Sequence, residues 1–166
     1  MAEKSVTCCF TGHRAAKLPW RDDESDPACI LLKQKIADAV EAVYFAGMRH
    51  YICGMANGCD LYFCEAVVAL RTEKHDLTLE GAVPYEGQAD SWPSAQQARY
   101  RRLIAECDYL TLVSKSYTPD CMQRRNRYMA DSSTILIAAY DGKPGGTMST
   151  MLYAMRNNLE IIEIEL

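Results

Sequence analysis

Short apolar runs alternate with longer stretches of helical period along this chain. "SVTCCF" at residues 5–10 ends at Thr11-Gly12 and predicts a strand. Over residues 27–46, Leu32, Ile36, Ala39, Val40 and Val43 fall on one helical face, and Gly47 closes the helix as a C-terminal glycine. "HYIC" at residues 50–53 predicts a second strand. The next helix spans 58–71, with Leu61, Cys64, Val67, Val68 and Arg71 along one stripe. "LTLEGAV" at 77–83, stopped by Pro84, is the third strand. A helix follows over 94–106, with Pro93 at its entry and Ser94 and Gln97 as a capping box. "YLTLV" at 109–113 and "TILIAAY" at 134–140 predict the fourth and fifth strands, separated by an arginine-rich helix over 121–130. A helix over 147–156 carries Met148, Met151, Leu152 and Met155 on a face that reads as core, and "LEIIEIEL" at 159–166 closes the chain as a sixth strand.

Strands alternating with helices predict an α/β domain: a mainly parallel sheet of about six strands with helices on both faces and right-handed crossovers. No repeat, low-complexity tract or linker interrupts residues 1–166, so a single three-layer domain is expected. The least regular stretches are 15–26 and 114–120. Sheets of this kind bind ligands beyond the carboxyl ends of their strands, where the strand order reverses.

The 166 residues suffice for a real core, and 49% hydrophobic with 24% charged residues is ordinary for a globular protein. No apolar run nears the ~20 residues of a membrane span, and the start has no long apolar segment of the secretory kind. A cytoplasmic protein without membrane partners is therefore expected. Eight cysteines form no C-x-x-C pair, so a zinc site is not expected, and most lie in apolar runs where free thiols pack as small hydrophobes. Cys59, in a polar joint, is the exception. A net charge of −4 argues against nonspecific grip on phosphate backbones, and local arginine clusters leave nucleic acid open.

Four strand ends carry unusual loops, expected on one edge of the sheet: "TGHR" at 11–14, "GMANGCD" at 54–60, "PYEGQ" at 84–88 and "DGKPGGT" at 141–147. Glycines let backbone amides approach an anion, and a helix starting just after adds its free N–H groups. Each loop also has a plainer reading. Gly145-Gly146 reads as a tight turn, Asp60 as a helix cap, and His13 and Arg14 as solvated loop residues. Arg99, Arg101 and Arg102 read as a wet helix face, whereas Arg124, Arg125 and Arg127 stand on a helix that begins near the ligand edge. G-x-G-x-x-G after the first strand, G-x-x-x-x-G-K-[ST] and G-x-S-x-G are all missing.

Together "TGHR", "GMANGCD", "PYEGQADSW" and "ADSSTILIAAYDGKPGGT" resemble the YpsA-like proteins of the SLOG superfamily, which also holds the DprA DNA-processing proteins and the LOG phosphoribohydrolases. The resemblance runs over residues 6–155 and includes Thr11, Gly12, Arg14, Gly54, Gly58, Asp60, Glu65, Gln88, Trp92, Arg125, Asn126, Asp131, Asp141, Gly146 and Thr147. It implies a Rossmann-like fold and a pocket for a nucleotide or nucleotide-derived ligand. The LOG motif P-G-G-x-G-T-x-x-E is incomplete: Thr147 follows Pro144-Gly145-Gly146 directly, and no glutamate stands in the turn after it.

The leading expectation is a binding or sensing module for a nucleotide-like small molecule, with no further cofactor. Its ligand site is expected to comprise Thr11, Gly12, His13 and Arg14; Gly54, Met55, Ala56, Asn57, Gly58 and Asp60; Pro84, Tyr85, Gln88 and Trp92; Asn126, Arg127 and Asp131; and Gly145, Gly146 and Thr147. The two glycine loops would hold phosphate, Arg14 and Arg127 would add charge-assisted bonds, Asp60 would orient its loop or accept a ribose hydroxyl, and Tyr85 or Trp92 would stack on a base. The alternative is an enzyme cleaving an N-glycosidic or phosphoester bond, with Glu65, Asp60 and His13 as acid or base candidates. Single-stranded DNA binding of the DprA kind is a third reading, and a homodimer is the assembly considered.

Overall fold

The computed structural model describes residues 2–166. Six strands form one sheet: β1 Thr7–Thr11, β2 His50–Cys53, β3 Thr78–Tyr85, β4 Tyr109–Ser114, β5 Ile135–Tyr140 and β6 Glu160–Glu165. Five α-helices connect them: α1 Pro27–Phe45, α2 Cys59–Arg71, α3 Ser94–Glu106, α4 Cys121–Asp131 and α5 Gly146–Arg156. Every strand pair is parallel, in the order β4-β3-β2-β1-β5-β6. The chain runs outward from β1 to the β4 edge, then returns to place β5 on the other flank of β1. The order therefore reverses between β1 and β5.

The central strands are mostly apolar because both faces are covered. Phe10, Tyr51, Cys53 and Leu79 pack beneath α1, α2 and α3; Cys9, Ile52, Ala82, Leu136 and Ala138 pack beneath α4 and α5. Phe10 stacks on Phe63 of α2 with ring centroids 4.8 Å apart. Asp26 caps α1, accepting from the Ala28 N–H at 2.8 Å, with Pro27 as its first residue. The stretch at 15–26 packs onto this layer through Trp20, which donates to the Tyr62 hydroxyl at 3.3 Å.

Several expectations needed correction. β3 does not stop at Pro84 but runs on to Tyr85. Pro84 lies beyond the last β2 partner, Cys53 opposite Gly81, where β3 has β4 alone beside it, so its missing N–H breaks no bond to β2. The capping box on α3 does not form: Pro93 is the cap residue, and the Gln97 side chain donates to the Asp90 carbonyl instead. The methionine face of α5 is core only in part: Met151 packs against the cluster on that side of the sheet. Thr147, Thr150 and Ala154 face the sheet, while Leu152 and Met155 are 40% and 58% exposed. Small residues let α5 sit close to the strands, which turns Leu152 and Met155 outward. Arg99 is no wet surface residue: only 13% exposed, it bridges Glu24 and Glu65. All eight cysteines are free, and all but Cys107 are buried, Cys59 included.

Candidate functional site

The carboxyl ends of β1 and β5 meet a hollow of about 150 Å³ at the point where strand order reverses. Thr11, Gly12, His13 and Arg14 line it from β1, Ala56 and Asp60 from the β2–α2 joint, Met122, Arg125, Asn126 and Met129 from α4, and Gly146 and Thr147 from α5. Three glycine-bearing joints thus share one concavity.

Backbone pairing holds the first two joints together. Arg14 and Gly58 form an isolated antiparallel bridge, in which Ala15 N–H donates to the Asn57 carbonyl at 3.2 Å and Cys59 N–H to the His13 carbonyl at 3.1 Å. This closeness demands glycine at 58. Its φ is +112°, and a Cβ there would lie 2.5 Å from the Ala15 nitrogen. Met55 also has positive φ, at 60°, a strained choice for a side-chain-bearing residue that its complete burial holds in place.

Asp60 acts inside the joint. It is not the cap residue of α2, which is Gly58; its carboxylate reaches back to accept the Ala56 N–H at 3.1 Å. Burial pushes its pKa up, and the nearby Arg125 charge and the Ala56 bond offset that only in part. Arg125 is itself 4% exposed, and donates to the Gly54 and Ala82 carbonyls. Burial lowers its pKa, opposed by the Asp60 charge. On the far rim, His13 Nε2 lies 3.0 Å from Asp141 Oδ2, close but poorly aligned for a hydrogen bond. The Lys143 N–H and then His13 hold the Asp141 carboxyl below its ordinary range.

The remaining wall is cationic and open. α5 begins at Gly146 after Gly145, with no side-chain cap, so its first-turn N–H groups are left for another acceptor. Lys17 lines the hollow and brings its ammonium 3.5 Å from where a Gly145 Cβ would sit. Arg14 is exposed, its guanidinium resting on the Met122 sulfur at 3.4 Å. Among the described residues, neither Arg14 nor Lys17 is ion-paired. A local positive field therefore stands in a chain of net charge −4. No group of three metal-ligating side chains is gathered among the described residues, and none of their helices is long and apolar enough to cross a membrane.

Asn57, Tyr85, Gln88 and Trp92 line a smaller hollow of about 120 Å³, which shares Arg14, Ala56 and Met122 with the first. Gln88 donates to the Met55 carbonyl at 3.2 Å while its buried side-chain oxygen has no partner. Gly54, Met55 and Gly58 shape the joint from behind. Pro84 is buried within β3, and Gly145 caps α5. Three candidates stand apart. Glu65 is held by Arg99 and Arg102 and does not line the hollow, so it is withdrawn as acid or base. Asp131 ends α4 and accepts the Tyr153 hydroxyl at 2.7 Å. Arg127 lies over the Tyr153 ring, outside this hollow.

Among the lining residues that the sequence reading left out of the site are Lys17, Met122, Arg125 and Met129. A signal for three of them existed: Met122, Arg125, Asn126 and Met129 are spaced i, i+3, i+4, i+7, one helical face. Lys17 carried no such signal.

The family model described as the YspA SLOG family matches residues 8–165. The chain belongs to that family. Among its relatives is the uncharacterized SPbeta prophage-derived protein YoqJ of Bacillus subtilis, 27% identical over 147 residues, covering 81% of this chain and 86% of that protein. A UPF0398 protein of Bacillus thuringiensis is 24% identical over 156 residues, covering 91% of this chain and 83% of its own length. DNA processing protein A from Helicobacter pylori, whose structure is described with a single-stranded DNA binding mode, superposes with a TM-score of 0.65 at 16% identity. The same protein from Streptococcus pneumoniae gives 0.64 at 14%. Both matches cover 96% of this chain, but only 65% and 50% of those longer chains. At that identity they establish a shared Rossmann-type fold.

Proposed function

We propose that this member of the YspA SLOG family binds a nucleotide or nucleotide-derived small molecule by its phosphate in the hollow between β1 and β5. The observation that carries the reading is the convergence of the three joints with the uncapped start of α5 and the unpaired Arg14 and Lys17. Free helix N–H groups and two cations suit a phosphate better than any neutral ligand. The sugar and base would extend into the neighbouring hollow, where Tyr85 and Trp92 offer flat apolar surface. The test is calorimetric titration with adenosine, AMP and inorganic phosphate. AMP should bind at least about ten-fold tighter than adenosine, and Arg14→Ala should remove most of that gap. Equal affinity for AMP and adenosine would rule out the phosphate anchor.

One observation favours a second reading, cleavage of an N-glycosidic bond in that ligand. Asp60 lines the hollow, and its burial raises its pKa, which is the condition of a general acid. Incubation with a panel of nucleoside monophosphates, followed by chromatography for free base, separates catalyst from sensor. Turnover that disappears in Asp60→Asn supports the enzyme; no free base from any substrate supports the sensor.

A further inference from the structure

A second concavity, of about 470 Å³, runs between α4 and α5 and joins the anion hollow through the shared walls of Met122, Asn126 and Gly146. Its volume is within the ~300–1,000 Å³ range of small-molecule sites, whereas the anion hollow is below it. Two features mark it as more than a seam between helices. First, Arg127 and Arg156 line it, and neither pairs with a carboxylate among the described residues. Arg127 lies 5.3 Å from the centre of the Tyr153 ring, which Asp131 fixes through its hydroxyl. Second, Leu152 lines it with 40% of its surface open, an apolar side chain that the helix turns away from the core.

The groove thus offers a flat aromatic surface, an apolar wall and two cations. From Gly146 to Arg156 is ten residues of α5, or roughly 15 Å, so one phosphate cannot touch both ends. We infer that the groove is a second subsite, and that the ligand is a dinucleotide: one phosphate at the start of α5, the second nucleotide along the groove, with its phosphate towards Arg127 and Arg156. This rests on the phosphate-anchored reading given above and names the ligand class for it.

The experiment is calorimetry with AMP and with the 5′-phosphorylated dinucleotide pApA, on the wild type and on Arg156→Ala and Arg156→Lys. Arg156 is exposed at the last turn of α5, so both variants should keep the wild-type melting curve. The wild type should bind pApA at least about ten-fold tighter than AMP. Arg156→Ala should lose about five-fold or more of the pApA affinity and leave AMP unchanged, and Arg156→Lys should recover part of it. AMP binding with no advantage for pApA, or an advantage that survives Arg156→Ala, overturns the second subsite alone. Affinity that keeps rising from pApA to an eight-nucleotide strand overturns the dinucleotide in favour of a nucleic-acid track. Failure of both AMP and pApA to bind overturns the phosphate-anchored reading, and the subsite with it.

Discussion

Arg125 donates its Nη1 to the carbonyl of Gly54, a residue 71 positions earlier in the chain. The bond ties α4 to the β2–α2 joint and leaves no room between them. A Cβ on Gly54 would lie 2.8 Å from that Nη1 and 2.9 Å from Asp60 Oδ2. Gly54→Ala should therefore push apart the buried Arg125 and Asp60 side chains that order the joint, at a cost of about 1–3 kcal/mol. Urea unfolding measures it. Wild-type stability in the variant would show that the joint has slack that this packing denies.

On the opposite edge of the sheet, Glu80 accepts bonds from His50 Nε2 at 2.7 Å, Thr111 at 2.7 Å and the Tyr128 hydroxyl. Burial works to raise the Glu80 pKa, but the bonds from His50, Tyr128 and Thr111 outweigh it and hold the carboxyl below its ordinary value. A lowered carboxylate contributes stability that is full above the unfolded value of ~4.3 and is lost as pH falls through the lower, folded value. Glu80→Gln should cost about 1–3 kcal/mol at pH 7, because an amide sets its NH2 against donors that the buried carboxylate oxygens accept from His50, Thr111 and Tyr128. The gap in melting temperature between wild type and variant should narrow below about pH 4. A gap that stays constant from pH 7 to pH 3 would contradict this.

Cys107 differs from the other seven cysteines in being only partly buried. Its thiol donates to the Leu103 carbonyl at 3.5 Å, and the neighbouring Cys64 thiol lowers its pKa against the effect of burial, while burial holds the Cys9 thiol up at about 12. A native-state titration with a chromogenic disulfide reagent should show one fast thiol, absent from Cys107→Ser, with the rest reacting only on unfolding. Several fast thiols in the native protein would contradict the packing described.

Much of this architecture was legible in the sequence because it is local. "HYIC" carries apolar residues on both sides of its pleat and is bounded by turn residues, and it forms β2 over those four residues. The sheet's parallel order follows from alternation of period, and the ligand edge from glycines placed at strand ends. What stayed hidden depends on distant partners. Glu65 read as a free acid because Arg99, which holds it, lies 34 positions away on α3. Leu152 and Met155 of α5 read as core because period alone cannot tell which face a helix gives to the sheet. Here the close approach of Thr147, Thr150 and Ala154 decided it. Arg125 was passed over for Arg127: it shares a helical face with Met122, Asn126 and Met129, but a charged side chain so completely buried is rare.

The most direct test of the phosphate anchor is a crystal structure grown with millimolar AMP. The account expects phosphate density at the start of α5, accepting from the Gly146 and Thr147 N–H groups and facing Arg14 and Lys17. AMP bound with its phosphate in solvent, or held elsewhere on the surface while this hollow stays filled by water, would contradict it.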